Sequence, residues 1–491
     1  MALSIYTSRI VLDVLGVEDY GLYNVIGGII ILLNLLNSSM VSATQRFLTY
    51  EIGVGNEERV SQTFSMSMTI HIAISAILLL LGETVGLWYV NNHLSLPEGR
   101  ETAAFWVYQI SLLSMVVNII RTPYNAAIIS YEKMSFYAII TVVDMMFRLL
   151  IIFLLLYIPA DKLILYALLN LSLDVLVTYL YKRYCQKKFT TCNYYYYMEK
   201  SYFKKLLSFL GWNFTGGLAT MGTQQVGVLI INSFCGVAVN AAYGIATRVN
   251  SAVNQFVTNF QTAFRPQIVK LYAQQNIPQF CLLINRSALL SYYLLFILAF
   301  PIIVHIDTVL SVWLTIVPTY SGIFCQLLII SSFINALQAP LWMSITASGD
   351  IKAYQIWTSI LFALNIPLTY IFLKIGLEPF WVLIARTMID IIMSVYRIFH
   401  VKFHMKVPVK SYLVNVLLRV TIVTITMIVV WFGIDTILPV TTFWSFVRMY
   451  IIMGFVSIIV MYIIGIGREE REFVNRMILK KLSFVNDYYK K

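Results

Sequence analysis

Runs of apolar residues long enough to cross a lipid bilayer recur along nearly the whole chain. A membrane-spanning helix needs about 20 mostly apolar residues, and windows of this kind alternate with short polar loops. The pattern predicts spanning helices near residues 21–50, 63–90, 103–131, 135–158, 162–184, 211–235, 238–264, 282–315, 319–347, 351–375, 377–400, 411–434 and 443–466. A shorter apolar run, Met1 to Leu15, precedes them, and we expect that the start of the chain is clipped or misassigned. The chain is therefore predicted to be an all-α polytopic membrane protein of about 14 transmembrane helices, the first one short.

The pattern is also duplicated within the chain. Without a gap, Leu112 to Tyr137 aligns with Ile329 to Tyr354. This alignment matches Ser114, Asn118, Pro123, Ile128 and Tyr137 with Ser331, Asn335, Pro340, Ile345 and Tyr354. A second window, at nearly the same offset, matches Gly16, Val17, Tyr23, Asn34, Ser42 and Ala43 with Gly236, Val237, Tyr243, Asn254, Thr262 and Ala263. Two windows with nearly one offset indicate a duplicated unit.

The duplication predicts two six-helix lobes. We place the first lobe at 1–184, a basic and aromatic cytoplasmic linker at 185–210, the second lobe at 211–402, and helices 13 and 14 with a charged cytoplasmic tail at 403–491. Lys and Arg concentrate in the loops after even-numbered helices, which predicts that both termini are cytoplasmic. Because each lobe has an even number of helices, the two copies should share one orientation, as parallel repeats of transporters do.

Composition agrees with a membrane location. The chain is 59% hydrophobic and 12% charged, with a mean hydropathy of +0.78, which leaves too little polar surface for a soluble globule of 491 residues. The net charge of +12 lies mainly between apolar spans, where membrane orientation explains it, so nucleic acid is excluded as a partner. The five cysteines lack metal-ligand spacing, and neither a metal nor another cofactor is predicted.

Polar side chains form helical stripes on equivalent helices of the two lobes. Residues spaced by three or four along a helix share a face. The candidates for polar residues of a water-filled lumen are Asn34, Ser38, Ser42, Asn213, Gln224, Ser251, Gln255 and Thr258. The alternative is that small polar residues hold neighbouring helices together, as they often do in membranes.

Ionisable residues inside spans are costly, so they rarely face lipid. Arg121, Arg148, Arg248 and Arg386 are candidate lumen cations for an anionic substrate group, because guanidinium suits phosphate. Asp144 with Arg148, and Arg386 with Asp390, are spaced one turn apart and could neutralise each other, so Asp144 and Asp390 are candidates for ion pairs or for proton or sodium coupling. Arg46 and Arg265 are predicted to extend to the cytoplasmic surface.

Two prolines are candidate hinges. Pro123 and Pro340 lie at equivalent places within predicted helices, where proline removes a backbone donor and bends the helix. Simple curvature is the alternative explanation.

Three stretches resemble a known family. Residues 6–28 (YTSRIVLDVLGVEDYGLYNVIGG), residues 42–53 (SATQRFLTYEIG) and residues 241–246 (AAYGIA) are similar to bacterial polysaccharide transporters, the Wzx-type flippases of the multidrug, oligosaccharidyl-lipid and polysaccharide exporter superfamily. The resemblance implies two six-helix lobes that form a V, with two extra C-terminal helices. It also implies that an undecaprenyl-diphosphate-linked oligosaccharide is moved across the bacterial inner membrane for surface polysaccharide biosynthesis, by a protein that functions as a monomer.

Two alternatives stay open from the sequence. One is a cation-coupled multidrug exporter of the same superfamily, which would bury carboxylates in its first lobe. The other is a polytopic O-antigen polymerase or ligase, which would need a long periplasmic loop carrying catalytic groups. The predicted outside loops are all short, which favours a transporter over an enzyme.

Overall fold

A computed structural model describes residues 2–93, 99–158, 161–314, 316–405, 407–440, 442–467 and 471. Within these ranges the chain is helical and contains no strand. The helices are α1 (Ala2–Val54), α2 (Glu57–Leu81), α3 (Leu87–His93), α4 (Glu101–Ser130), α5 (Met134–Leu154), α6 (Lys162–Lys188), α7 (Lys200–Ala273), α8 (Ile277–Val304), α9 (Ile306–Trp313), α10 (Ser321–Ser348), α11 (Lys352–Ala363), α12 (Asn365–Lys374), α13 (Phe380–Met405), α14 (Val409–Tyr412), α15 (Arg419–Ile437) and α16 (Phe443–Val460). In the described part of the chain, 10 helices are long and apolar enough to cross a membrane. The prediction of an all-α polytopic membrane protein is confirmed.

The two longest helices are each broken at one glycine. In α1 the break is at Gly16, where φ is 80° and ψ is 168°, and in α7 it is at Gly236, where φ is 80° and ψ is 178°. This region of backbone conformation is almost restricted to glycine. The two breaks lie where the predicted pairs of helices meet, residues 1–15 with 21–50 and 211–235 with 238–264. The sequence alignment of Gly16 with Gly236 therefore corresponds to a shared backbone geometry.

The chain divides into two compact units. The first comprises Met1–Leu218, Val269–Gln275 and Thr346–Ile356, and the second comprises Ala219–Ile268, Asn276–Ile345 and Trp357–Lys491. Each unit is described by itself below. The lobe and linker boundaries drawn from the sequence stay predictions.

Helix α4 is central to the first unit, where it packs against α1, α2 and α6. Its packing is apolar near Phe64 and Tyr124, whose rings meet edge to face at 5.4 Å, and polar where Thr49 donates to Ser130 over 2.8 Å. Small hydroxyl side chains let helices approach closely and bond across the contact. Pro123 lies within α4, and Pro340 lies within α10 of the second unit, and both helices continue through their proline. The hinge role of both residues stays a prediction.

The segment before α7 is attached to the first unit. Arg59 forms a salt bridge of 2.6 Å with Glu199, and the Tyr202 hydroxyl donates to Glu51 over 3.0 Å. The backbone N–H of Tyr195 donates to Ser65 over 3.3 Å. The basic and aromatic segment around residue 200 is thus held against α1 and α2 at several points.

In the second unit, α8 packs against α16, and α12 packs against α13. Its apolar core includes Tyr243, Phe324, Leu328 and Leu383. This packing positions α7, α12 and α13 around the polar side chains described next.

Candidate functional site

A buried carboxylate organises a polar network in the first unit. The Asp174 side chain on α6 is 4% exposed and accepts hydrogen bonds from Ser114 and from Asn118, both on α4. The Asn118 amide donates to Asp174 over 3.2 Å and also to the Ser114 backbone carbonyl over 2.9 Å. A buried charge is tolerated when it is paired and hydrogen-bonded, and Asp174 is both.

The cationic partner of this carboxylate is Arg148 on α5. Its guanidinium lies 2.8 Å from Asp174 and 3.0 Å from Asp144, and it also donates to Asn170 over 3.0 Å. The predicted pair of Asp144 and Arg148 therefore forms, but two carboxylates rather than one surround the arginine. Arg148 is neutralised by carboxylates within the protein, and its role as a cation for a substrate diphosphate stays a prediction.

One carboxylate oxygen of this network lacks a hydrogen-bond partner among the residues that the structure describes. The Oδ1 atom of Asp144 is buried and makes no hydrogen bond within the described residues. A buried acceptor without a partner costs free energy, and a proton or a small cation would satisfy it. This geometry keeps Asp144 as a coupling candidate.

The second unit repeats part of the network. Ser331 on α10 donates to the buried carboxylate of Asp390 on α13, and the Asn335 amide donates to the Ser331 carbonyl over 3.0 Å. Because Ser331 and Asn335 align with Ser114 and Asn118, Asp390 takes the place of Asp174. The predicted ion pair of Arg386 with Asp390 does not form: no carboxylate in the described ranges lies within salt-bridge distance of Arg386, whose side chain donates to the Tyr243 hydroxyl over 3.4 Å.

The arginine and an asparagine exchange places between the two units. At the offset of the matched Ser and Asn residues, Arg148 on α5 corresponds to Asn365 on α12. Asn170 on α6 corresponds to Arg386 on α13 at an offset one residue shorter, which is also the offset that pairs Asp174 with Asp390. The first unit therefore places its cation against two carboxylates, whereas the second leaves its cation beside a tyrosine. The same scaffold carries an acidic site in one copy and a basic site in the other.

Arg386 lines two adjoining cavities of the second unit. Their volumes are about 50 Å³ and about 360 Å³, and both are lined by Gln224, Tyr243 and Arg386. The other polar residues around them are Thr220, Thr223, Asn365 and Thr369 in the smaller cavity and Gln225, Asn240, Thr247, Asn250 and Ser251 in the larger one. A guanidinium surrounded by amides and hydroxyls can bind an anionic or strongly polar group.

The predicted polar stripe on the second unit is open, as expected for a wet surface. Gln224, Ser251, Gln255 and Thr258 are exposed, Asn213 in the first unit is half-buried, and Arg248 is exposed on the same helix as the stripe. Exposed polar side chains within a span face water or protein rather than lipid. In the described part of the chain no hydrogen bond or ion pair is found for Arg248.

The corresponding stripe on the first unit is partly packed. Ser42 is buried, as are Gln45 and Thr49, because this face of α1 lies against α4. Ser42 therefore packs against a helix in this structure, and its place in a water-filled lumen stays a prediction. Ser38 is exposed, and the side chain of Asn34 lies outside the described residues.

The remaining arginines differ from one another. Arg121 donates to Asn118 and lies 5.9 Å from the centre of the Tyr181 ring, so it joins the edge of the Asp174 network. Arg46 is 7% exposed, so it does not extend to the surface as predicted. Arg265 is half-buried and lies over the Trp342 ring at 5.3 Å. Aromatic faces and backbone carbonyls hold these cations instead of water.

Sequence reasoning did not single out the central carboxylate. Asp174 has no acidic or basic residue one turn away, so its spacing gives no signal, and its partners lie on other helices. The repeat contains the missing signal, because both copies carry an aspartate on the second predicted spanning helix after the one with the matched Ser and Asn.

No protein-family model matches the sequence, and neither does any curated protein. Solved structures do match its fold. A mutant MATE protein has a TM-score of 0.71 and 12% identity, with 82% of this chain and 92% of that chain covered. A multidrug resistance MATE family transporter of the MOP superfamily, in an outward-facing conformation, has a TM-score of 0.63 and 11% identity, with 80% and 89% covered.

A third structure is a MOP superfamily transporter from Pyrococcus furiosus, described as having a binding pocket of reversed polarity that suggests a different function. Its TM-score is 0.65 at 13% identity, with 82% of this chain and 92% of that chain covered. At these identities the likeness establishes the fold. The predicted superfamily and the resemblance to polysaccharide transporters stay predictions.

Proposed function

We propose that this chain is a cation-coupled exporter that moves an amphiphilic organic substrate across a membrane by alternating access. The proposal rests on Oδ1 of Asp144, in the network around Arg148, which is buried and accepts no hydrogen bond from any described residue. Two carboxylates are in contact with Arg148 there, and ionisable groups within a span are expensive unless they serve a function. The structural neighbours described as MATE transporters favour this interpretation over the hypothesis that the chain is a flippase.

In this proposal the first unit binds the coupling ion and the second unit contacts the substrate. The acidic site of the first unit exchanges a proton or sodium ion, and the cavities around Arg386 in the second unit contact the polar part of the substrate. An ion can shift a conformational equilibrium only by as much as its affinity differs between the two states. Neutralising Asp144 or Asp174 would change the hydrogen bonds of Arg148, and this rearrangement gives the required difference.

The test is transport in proteoliposomes. We expect that a pH or sodium gradient drives uptake of a fluorescent amphiphile with an anionic or strongly polar group, and that Asp144→Asn abolishes the dependence on the gradient while the protein still folds. Glu101→Gln, at an exposed carboxylate outside the network, is the matched control and should retain coupling. Transport with the same gradient dependence in Asp144→Asn would refute the coupling role.

A second candidate is the flippase for polyprenyl-diphosphate-linked oligosaccharide. It is favoured by Arg386, a cation with no carboxylate at salt-bridge distance in the described residues, which lines a cavity of about 360 Å³. The sugar-diphosphate head of such a lipid cannot cross hydrocarbon unaided, whereas its tail can stay in the bilayer. The resemblance of residues 6–28 points the same way, and a bacterial inner membrane with cytoplasmic termini is part of this candidate.

A leaflet-accessibility assay separates the two candidates. Movement of a lipid-linked oligosaccharide by the wild type, and its loss in Arg386→Gln, would establish the flippase. Gradient-driven transport of the fluorescent amphiphile, without movement of the lipid-linked oligosaccharide, would establish the exporter. No transport of either substrate by folded wild-type protein would refute both.

A further inference from the structure

A separate cavity of about 770 Å³ lies wholly within the first unit. Its walls come from the end of α1, the first three turns of α7, and the turn between α10 and α11, whose residues 346–356 belong to this unit. None of these residues belongs to the Asp174 network or to the cavities around Arg386. The cavity is therefore distinct from the sites proposed for transport.

The cavity has a cation fixed in its wall. Arg46 is 7% exposed, and its Nε and Nη2 atoms donate to the Ala347 carbonyl over 3.2 and 2.9 Å. Its guanidinium also lies over the rings of Phe47 and Tyr50, at 4.5 and 4.8 Å from their centres. Within the described residues no carboxylate reaches salt-bridge distance of Arg46. A buried guanidinium held in this way is pre-organised for an anion.

The charge around the cavity is unbalanced. Besides Arg46, the lining contains Lys204, Lys205 and Lys352, against the acidic residues Glu51 and Asp350. The Glu51 carboxylate already accepts a hydrogen bond from the Tyr202 hydroxyl. Lysine ammonium groups are mobile point charges that suit phosphate, and the start of α11 adds a weak attraction for anions.

The remaining walls are aromatic and amphipathic. Phe47 packs edge to face against Tyr202 and Phe209, and Lys352 lies over the Trp212 ring at 5.6 Å. In the first turns of α7, the lysines are exposed while Leu206, Phe209 and Leu210 are buried. Lysines beside tyrosine and tryptophan are typical of segments at the level of lipid headgroups. Such surroundings fit a phosphate attached to an apolar body better than a fully hydrated ion.

We propose that this cavity binds the phosphate group of an anionic amphiphile, with a phospholipid headgroup as the favoured source. Arg46 and the lysines neutralise the phosphate, and the aromatic side chains contact the glycerol region. A free phosphate compound is the other possible source of the same chemistry. The site would make the first unit sensitive to lipid composition, independently of which substrate is transported.

Binding is measured on the full chain in neutral detergent, by thermal unfolding or native mass spectrometry, with a short-chain phosphatidylglycerol as probe. The variant Lys204→Ala/Lys205→Ala removes two exposed charges from the cavity. Lys187→Ala/Lys188→Ala removes two exposed charges from the end of α6, away from the cavity, and is the matched control. Inorganic phosphate and a short-chain diacylglycerol test the two parts of the ligand separately.

We expect saturable binding of phosphatidylglycerol that is about tenfold weaker in the cavity variant and unchanged in the control. The reason is that each lysine near an anionic group contributes favourably to the binding free energy. Equal binding of inorganic phosphate, with the same loss in the cavity variant, would assign the site to a soluble phosphate compound. The proposal would be overturned if the cavity variant and the control variant bound phosphatidylglycerol with the same affinity. It would also be overturned if diacylglycerol bound as tightly as phosphatidylglycerol. Because the assay measures binding, its result does not depend on the transport proposal.

Discussion

Gly16 and Gly236, one in each copy of the repeat, adopt the same backbone conformation at the break of a long helix, with φ of 80° at both and ψ of 168° and 178°. This conformation is nearly restricted to glycine because a Cβ atom strains the backbone. The two residues therefore mark a turning point that both copies of the duplicated unit require.

Replacing Gly236 with alanine should destabilise the protein by about 1–3 kcal/mol, the usual cost of such a strained conformation. A Cβ atom there would have nothing within 4 Å, so the loss comes from strain rather than from a clash. Thermal unfolding in detergent measures it. Gly222→Ala, in the regular part of α7 with nothing within 4 Å of its added Cβ atom, is the control and should be neutral or slightly stabilising. Equal stability of the two variants would contradict the assignment.

Gly349→Ala should destabilise the first unit more than strain alone explains. Gly349 has φ of 80°, and an added Cβ atom would lie 2.6 Å from Nη2 of Arg46, which would be displaced from the Ala347 carbonyl. Gly376→Ala is the matched control, because Gly376 has φ of 85° at the end of α12 with nothing within 4 Å of an added Cβ atom. We expect the Gly349 variant to lose at least about 1 kcal/mol more than the control in thermal unfolding, the value of one charge-assisted hydrogen bond.

The exchanged positions of arginine and asparagine can be tested by transplanting the second arrangement into the first unit. Arg148→Asn alone should destabilise by about 1–3 kcal/mol, because it leaves Asp174 buried without its cation. Asn170→Arg alone should also destabilise, since it places a second cation beside Arg148. The double variant reproduces the arrangement of Asn365 and Arg386, and we expect it to be more stable than the sum of the single losses by at least about 0.5 kcal/mol. Strict additivity in this cycle would show that the two positions are uncoupled.

Acid should loosen the segment that precedes α7. The pKa of Glu199 is lowered to about 2, chiefly by its hydrogen bond from Arg59 and further by those from Ser201 and Tyr197. Since the pKa is lower in the folded state than in the unfolded state, the stabilisation is full above about pH 4.3 and is lost as the pH falls toward about 2.

The measurement is limited proteolysis or thermal unfolding of the wild type and of Arg59→Gln between pH 6 and pH 2. The difference between the two proteins should be constant at the upper end and shrink toward zero at the lower end. A difference that does not change with pH would argue against this salt bridge. Lys187→Gln, at an exposed lysine outside the contact, should follow the wild type throughout.

Helices were predictable from the sequence because their cause is local. The length of each apolar run determines whether it can span, and the predicted range 103–131 differs from α4, Glu101–Ser130, by only a residue or two at each end. The pairing of Gly16 with Gly236 was also visible in the sequence, because a nearly obligatory glycine leaves a trace in both copies.

The site was less predictable because its partners come from separate helices. One-turn spacing identified Asp144 with Arg148 correctly, yet the same spacing failed for Arg386 with Asp390, where Tyr243 and Ser331 on other helices take the contacts. Spacing along one helix says which residues share a face, but the residues opposite that face decide which bonds form. Ser42 shows the same limit, since it is buried and a polar stripe looks alike in the sequence whether water or a neighbouring helix lies against it.

The exchange of Arg148 and Asn170 for Asn365 and Arg386 has a consequence for how such a molecule evolves. After a gene doubles and fuses, its halves begin with identical chemistry, and a change that alters what one half recognises alters the other as well. Once the arginine lies on a different helix in one half, the two halves recognise different groups and can change independently. If the two halves have the roles proposed above, selection can then change substrate preference in the basic half while the acidic half keeps its coupling ion.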